Sequence, residues 1–147
     1  MIGKRVKTAA LAACAAVPLA LLATPGSASA SGTDYLWAYW QKPGSTTSGG
    51  YGVFHAYGEI VQVQDWHADG WRTWAQIQTL LPDSSGVLHW VNHSTPCWDD
   101  TSHGDTSGGG FTTCNYSLPE GTRVRVHVWA TNSGDHKYDE YSPSGTA

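Results

Sequence analysis

Along this chain apolar residues alternate with polar ones over short runs and almost nowhere recur at helical spacing. The clearest run is 122-TRVRVHVWA-130, with Val124, Val126 and Val128 on one side and Arg123, Arg125, His127 and Trp129 on the other. This predicts a strand with one face in the core and the other toward solvent or a ligand. Ile60 to Gln64 and Arg72 to Gln78 alternate in the same way, with Asp69-Gly70 between them. Asp-Gly tolerates the positive φ of a tight turn, so the two runs predict a hairpin. A further strand is expected over 87-VLHWVNH-93, after the turn cluster Pro82-Asp83-Ser84-Ser85-Gly86. The segment 98-WDDTSHGDTSGGG-110 has no apolar period and reads as a long loop.

Many short strands between Gly- and Pro-rich turns predict an all-β chain, a single antiparallel β-sandwich. The stretch 118-LPEGTRVRVHVWATNSG-134 resembles the fibronectin type III and immunoglobulin-like pattern of a leucine, a Gly-Thr turn and an alternating strand ending in Ala-x-Asn. It carries Val124 where that pattern usually has a tyrosine. The resemblance implies an immunoglobulin-like sandwich and no particular activity.

Residues 1–30 stand apart from this pattern. Lys4, Arg5 and Lys7 precede an apolar run from Ala9 to Ala23, and Ala28-Ser29-Ala30 is a small-residue cleavage site. This predicts a secretory signal peptide cleaved after Ala30 and an extracellular protein, with Cys14 an ordinary residue of the discarded peptide. No other apolar stretch approaches the roughly 20 residues needed to span a bilayer. Cleavage would leave 117 residues, enough for one domain with a modest core. It would also remove three basic residues and no acidic ones, so that five basic residues face twelve acidic ones, a net charge of −7. Nucleic-acid binders carry a basic footprint, so this balance argues against such a partner. Cys97 and Cys114 remain, and in an oxidising compartment they are expected to form a disulfide at the base of the long loop.

Catalytic and metal chemistry have little support. No G-x-S-x-G elbow occurs, and Ser84, Ser85 and Ser102 lie in turn contexts that account for them. Glu59 and Asp65 are paired carboxylates of the kind that serve glycoside hydrolysis, but flanking turn polarity accounts for them. His89 and His93, four apart on a strand, would lie about 13 Å apart, too far to share one ion. Asp99, Asp100, His103 and Asp105 lack the order and closing glutamate of a calcium loop. The expectation is therefore a protein that is not an enzyme and has no cofactor and no metal.

The anomaly is aromatic. Eight tryptophans are more than a small core needs, and tryptophan is enriched where surfaces bind. Trp66, Trp71, Trp74 and Trp129 are expected to face a ligand. In 34-DYLWAYWQKPGSTTSGG-50 an aromatic, β-prone run gives way to a Gly/Ser/Thr stretch. Such a segment either forms an edge strand of its own sandwich or adds to a partner by strand pairing. The second reading makes residues 31–50 an arm and flexible linker ahead of a domain over 51–147. Tyr35, Leu36, Trp37, Tyr39 and Trp40 would then be the partner-binding residues.

The signal, the size, this arm-plus-sandwich layout and the texture of 57-YGEIVQVQDWHADG-70 resemble small exported actinobacterial sandwich proteins. Among these the chain is similar to the adaptor subunits of streptomycete umbrella toxin particles. That resemblance implies an adaptor of an antibacterial toxin complex, with a repeat-built toxin scaffold and a lectin-like subunit as partners. A carbohydrate-binding module that takes a glycan on exposed tryptophans is the alternative. A secreted protease inhibitor presenting its long loop is a third reading.

Overall fold

A computed structural model describes residues 35–93, 95–100 and 110–147. Among these described residues ten strands form two antiparallel sheets packed face to face. The first sheet runs in the order β1 (Tyr35–Trp40), β2 (Gly50–His55), β3 (Ile60–Asp65), β7 (Thr112–Asn115). The second is built on the long antiparallel pair β4 (Arg72–Pro82) and β8 (Arg123–Asn132). Beside β4 lie β5 (Leu88–Asn92) and β6 (Cys97–Asp99), and beside β8 lie β9 (Asp135–Tyr141) and β10 (Gly145–Thr146). The two-layer sandwich is the one expected. Its connectivity is its own, because β1, β2 and β3 form a meander in one sheet, whereas the immunoglobulin order sends the third strand to the other sheet.

The core lies where the alternation puts it. Val124, Val126 and Val128 of β8 are fully buried and face Leu36, Ala38 and Trp40 of β1, Phe54 of β2, and Val61 and Val63 of β3. The valine, leucine and phenylalanine side chains among these each contribute about 1.5–3 kcal/mol on burial. At Gly52 on β2 the sheets pack closely, and a Cβ there would lie 2.6 Å from the Ala75 Cβ and 2.8 Å from a Val128 methyl. Gly52→Val should therefore force the layers apart at a cost of about 1–3 kcal/mol, read as a lower urea midpoint. An unchanged midpoint would mean that the layers do not touch there.

Two expectations are corrected. Ile60 to Gln64 and Arg72 to Gln78 do form strands, but they are no hairpin. β3 pairs with β2 and β7, β4 pairs with β5, β6 and β8, and residues 66–71 carry the chain across from one sheet to the other. Alternation fixes which side of a strand is buried and leaves its partner open, and both alternating runs suit either pairing.

The second correction concerns residues 31–50. From Tyr35 onward they are neither arm nor linker, and no domain boundary falls at Gly50. β1 pairs with β2 along its whole length, from Tyr35 opposite His55 to Trp40 opposite Gly50. The Gly/Ser/Thr stretch is the loop of that hairpin, closed where the Gly49 amide donates to the Trp40 carbonyl at 2.9 Å. Lys42 pairs with Asp69 at 2.5 Å, and His67 Nε2 lies 3.1 Å from the Ser48 carbonyl, so the loop is tied to the crossing segment as well. Residues 31–34 lie outside the described residues.

Cys97 and Cys114 form the expected disulfide. It joins β6 of one sheet to β7 of the other, and residues 101–109 of the loop it closes lie outside the described residues.

Candidate functional site

Because strand residues alternate in direction, each sheet has an outer face as well as a core face, and both outer faces carry aromatic rings. On the first sheet the register sets Tyr35, Trp37 and Tyr39 of β1 beside His55, Val53 and Tyr51 of β2, with Gln62 and Gln64 of β3 beyond them. Trp66, just past β3, completes the group. The Trp37 ring lies 5.9 Å from Tyr39 and 5.2 Å from Tyr51, and Trp66 lies 5.4 Å from Tyr51 and 5.9 Å from Tyr39. Tyr51 and Val53 are buried beneath this layer, while Trp37, Tyr39 and Trp66 each keep more than 40% of their surface exposed. Burial pushes the Tyr51 hydroxyl above its ordinary pKa, with Tyr39 and Asp99 adding to the shift. Two amides sit among the rings with their carbonyl oxygens engaged. Gln64 Oε1 accepts from Trp66 Nε1 at 3.0 Å, and Gln62 Oε1 lies 3.0 Å from His55 Nε2.

The outer face of the second sheet holds a ladder of rings across four strands. Trp98 of β6, Trp74 of β4, Trp129 of β8 and His136 of β9 follow one another at 5.8, 5.9 and 5.4 Å. Arg72 lies 5.0 Å from the Trp98 ring and pairs with Asp100 at 2.7 Å. Further along, the Arg125 guanidinium sits 4.6 Å from Trp90 and 4.1 Å from Tyr141, and its Nε donates to Gln78 Oε1 at 2.8 Å. Burial pushes its pKa down. Trp98 is half-exposed, whereas Trp129 is nearly covered by its neighbours in the ladder.

The expected site residues thus separate into four places. Tyr35, Trp37 and Tyr39 share the first outer face with Trp66. Trp74 and Trp129 stack on the opposite face. Leu36 and Trp40, expected to enter a partner, are buried in the chain's own core, because they alternate with the outward rings of β1. Trp71, expected to face a ligand, instead closes one end of the sandwich against Trp40 and Tyr138, with Lys42 and Lys137 over its ring.

Among the carboxylates, Glu59 and Asp65 stand at opposite ends of β3, about 20 Å apart at strand rise. Glu59 accepts the Leu118 amide, and Asp65 is buried. His89 pairs with Asp83 at 2.8 Å, while the His93 ring lies against Tyr116. Asp99 accepts from the Asp65 amide and from Thr112. His103 and Asp105 lie outside the described residues.

One group escaped the sequence reading. His127 Nε2 and His136 Nε2 each lie 2.7 Å from the same Asp139 oxygen, Oδ1. Burial pushes the His127 pKa down, against the opposing pull of Asp139. For Asp139 burial acts to raise the pKa, but the hydrogen bonds from His136 and His127 outweigh it and hold the carboxyl below its usual range. The outward position of His127 was legible, but 135-DHKYDEY-141 has no apolar alternation to mark it as the neighbouring strand.

Comparison with family profiles, with curated proteins and with solved structures gives no match.

Proposed function

We propose that this is an exported, non-catalytic binding protein that links two partner proteins through the opposite outer faces of its sandwich. The observation that carries this reading is the patch of Trp37, Tyr39 and Trp66, with Tyr35 beside His55 on the same face. These rings keep 41–52% of their surface exposed, and the inward residues of β1 anchor that strand in the core. Exposed apolar patches of this kind mark interaction surfaces, and rigid aromatic anchors dominate their energetics. The half-exposed Trp98 with Arg72 offers a second contact point on the other side. Two separate faces suit an adaptor, the role implied by the resemblance to umbrella-particle subunits, whose partners would be a toxin scaffold and a lectin-like subunit. Docking then uses the outward residues of β1, not the strand as a detached arm.

A glycan ligand is a second reading, favoured by the Gln62 and Gln64 amides set among the rings, where a sugar's hydroxyls would find partners. One experiment separates the two. The immobilised protein is mixed with culture supernatant and, in parallel, passed over chitin, cellulose and cell-wall glycans. Trp37→Ala with Tyr39→Ala should weaken capture of one protein by about thirtyfold or more, the ~2 kcal/mol of a hot spot. Trp98→Ala should weaken capture of a different one. Glycan retention abolished by Trp66→Ala, with no protein captured, would replace the adaptor reading with the sugar reading. Loss of every partner by both variants together would overturn the two-sided arrangement.

A further inference from the structure

We propose that His127, His136 and Asp139 form a binding site for a late first-row divalent metal ion, Zn²⁺ foremost. Each residue offers one ligand atom, and the three atoms lie within 4.8 Å of one another. Bonds of about 2.0–2.1 Å to a tetrahedral ion place ligand atoms about 3.3 Å apart. The 2.7 Å contacts of each imidazole with Asp139 Oδ1 therefore have to open by about half an ångström, and the two imidazole nitrogens, within 4.8 Å of each other, have to settle at the same spacing. Two imidazoles and one carboxylate suit a borderline ion far better than calcium or magnesium, which take oxygen ligands. With three ligands from the protein, the fourth position is left to water or to a group from a partner.

Two features of the fold set these residues for the task. First, residues three apart on a regular strand point to opposite faces, yet His136 and Asp139 converge. The pairing of β8 with β9 is shifted between Val128 and Ala130, and Tyr138 takes a positive φ of 62°, which is uncommon for a bulky residue. That irregularity breaks the alternation and turns Asp139 to the side of His136. Second, the rings are held before any ion arrives. His127 lies between Trp129 at 4.7 Å and Tyr141 at 4.5 Å, and His136 lies parallel to Trp129 at 5.4 Å. Ligands fixed in this way lose little freedom on binding. An imidazole nitrogen that donates to Asp139 Oδ1 would have to give up that proton, by tautomer shift or release, to ligate an ion.

The site is tested by titrating the untagged protein with Zn²⁺ by calorimetry, with Mg²⁺ as a control. One equivalent of Zn²⁺ should bind and raise the melting midpoint, and Mg²⁺ should do neither. His136→Ala and Asp139→Asn should each weaken Zn²⁺ binding by at least about tenfold, comparable to the loss of supporting contacts around known metal sites. His89→Ala, distant in the fold and paired with Asp83, should leave it unchanged. Imidazole resonances of His127 and His136 should shift together on adding Zn²⁺, which keeps the test readable if a variant folds poorly. Equal binding by wild type, His136→Ala and Asp139→Asn, or resonance shifts confined to other histidines, would overturn the assignment.

Discussion

Replacing Trp40 by alanine should destabilise the protein by about 3–5 kcal/mol, the range for losing a buried aromatic side chain. Its indole is fully buried, stacks on Tyr138 at 5.5 Å and covers Gly49, where even a Cβ would fall 2.0 Å from the ring. Its Nε1 donates to Thr73 Oγ1 at 2.8 Å, a buried bond that fastens β1 in one sheet to β4 in the other. Truncation therefore leaves both a cavity and a hydroxyl that has lost its donor. Domains of this size are stable by only about 5–15 kcal/mol, so much of the margin would go. Trp37→Ala, three residues earlier on the exposed side of the same strand, should cost a small fraction of that. Deleting residues 31–50 should abolish the folded circular-dichroism signal. Urea denaturation of the two point variants checks the contrast. Equal losses, or a deletion that stays folded, would mean that β1 is not a structural part of the sandwich.

That contrast also explains what the sequence conceals. In β8 the buried valines alternate with Arg125 and His127, so the period of two is plain. In β1 the same period exists, but Leu36, Ala38 and Trp40 alternate with Tyr35, Trp37 and Tyr39, and rings on both sides hide the buried set. Composition then suggests an exposed arm, and only pairing with β2 separates the two sets. At β9 the difficulty is reversed. Its residues are mostly exposed and form no apolar stripe, and the strand is held by backbone pairing to β8 and by single contacts such as Tyr138 on Trp40 and Trp71, none of which a pattern announces. The same limit governs the sites. Which tryptophans share a face depends on strand neighbours across the sheet, so Trp66 joins Trp37 and Tyr39 while Trp74 joins Trp98 and Trp129. The metal trio depends on a register shift that spacing alone cannot display.

Breaking the disulfide, by Cys97→Ala with Cys114→Ala, should lower stability by about 3 kcal/mol, the chain-entropy value for a loop of this length. The bridge closes a separation of 17 residues and joins β6 of one sheet to β7 of the other. β6 meets β4 through three residue pairs, and β7 lies at the edge of its sheet and meets β3 through four. A parallel connection is Asp99, whose carboxylate accepts from the Asp65 amide at 3.0 Å and from Thr112 Oγ1 at 2.8 Å, bonds to a charged group worth about 1.5–3 kcal/mol each. The loss should therefore be local as well as global. Amide exchange should accelerate first in 97–99 and 112–115, while the core strands β4 and β8 keep protection close to the global value. Hydrogen exchange on the oxidised and cysteine-free proteins distinguishes this from uniform weakening. If β6 and β7 stay as protected as β8, Asp99 and the strand pairing hold the seam without the bridge.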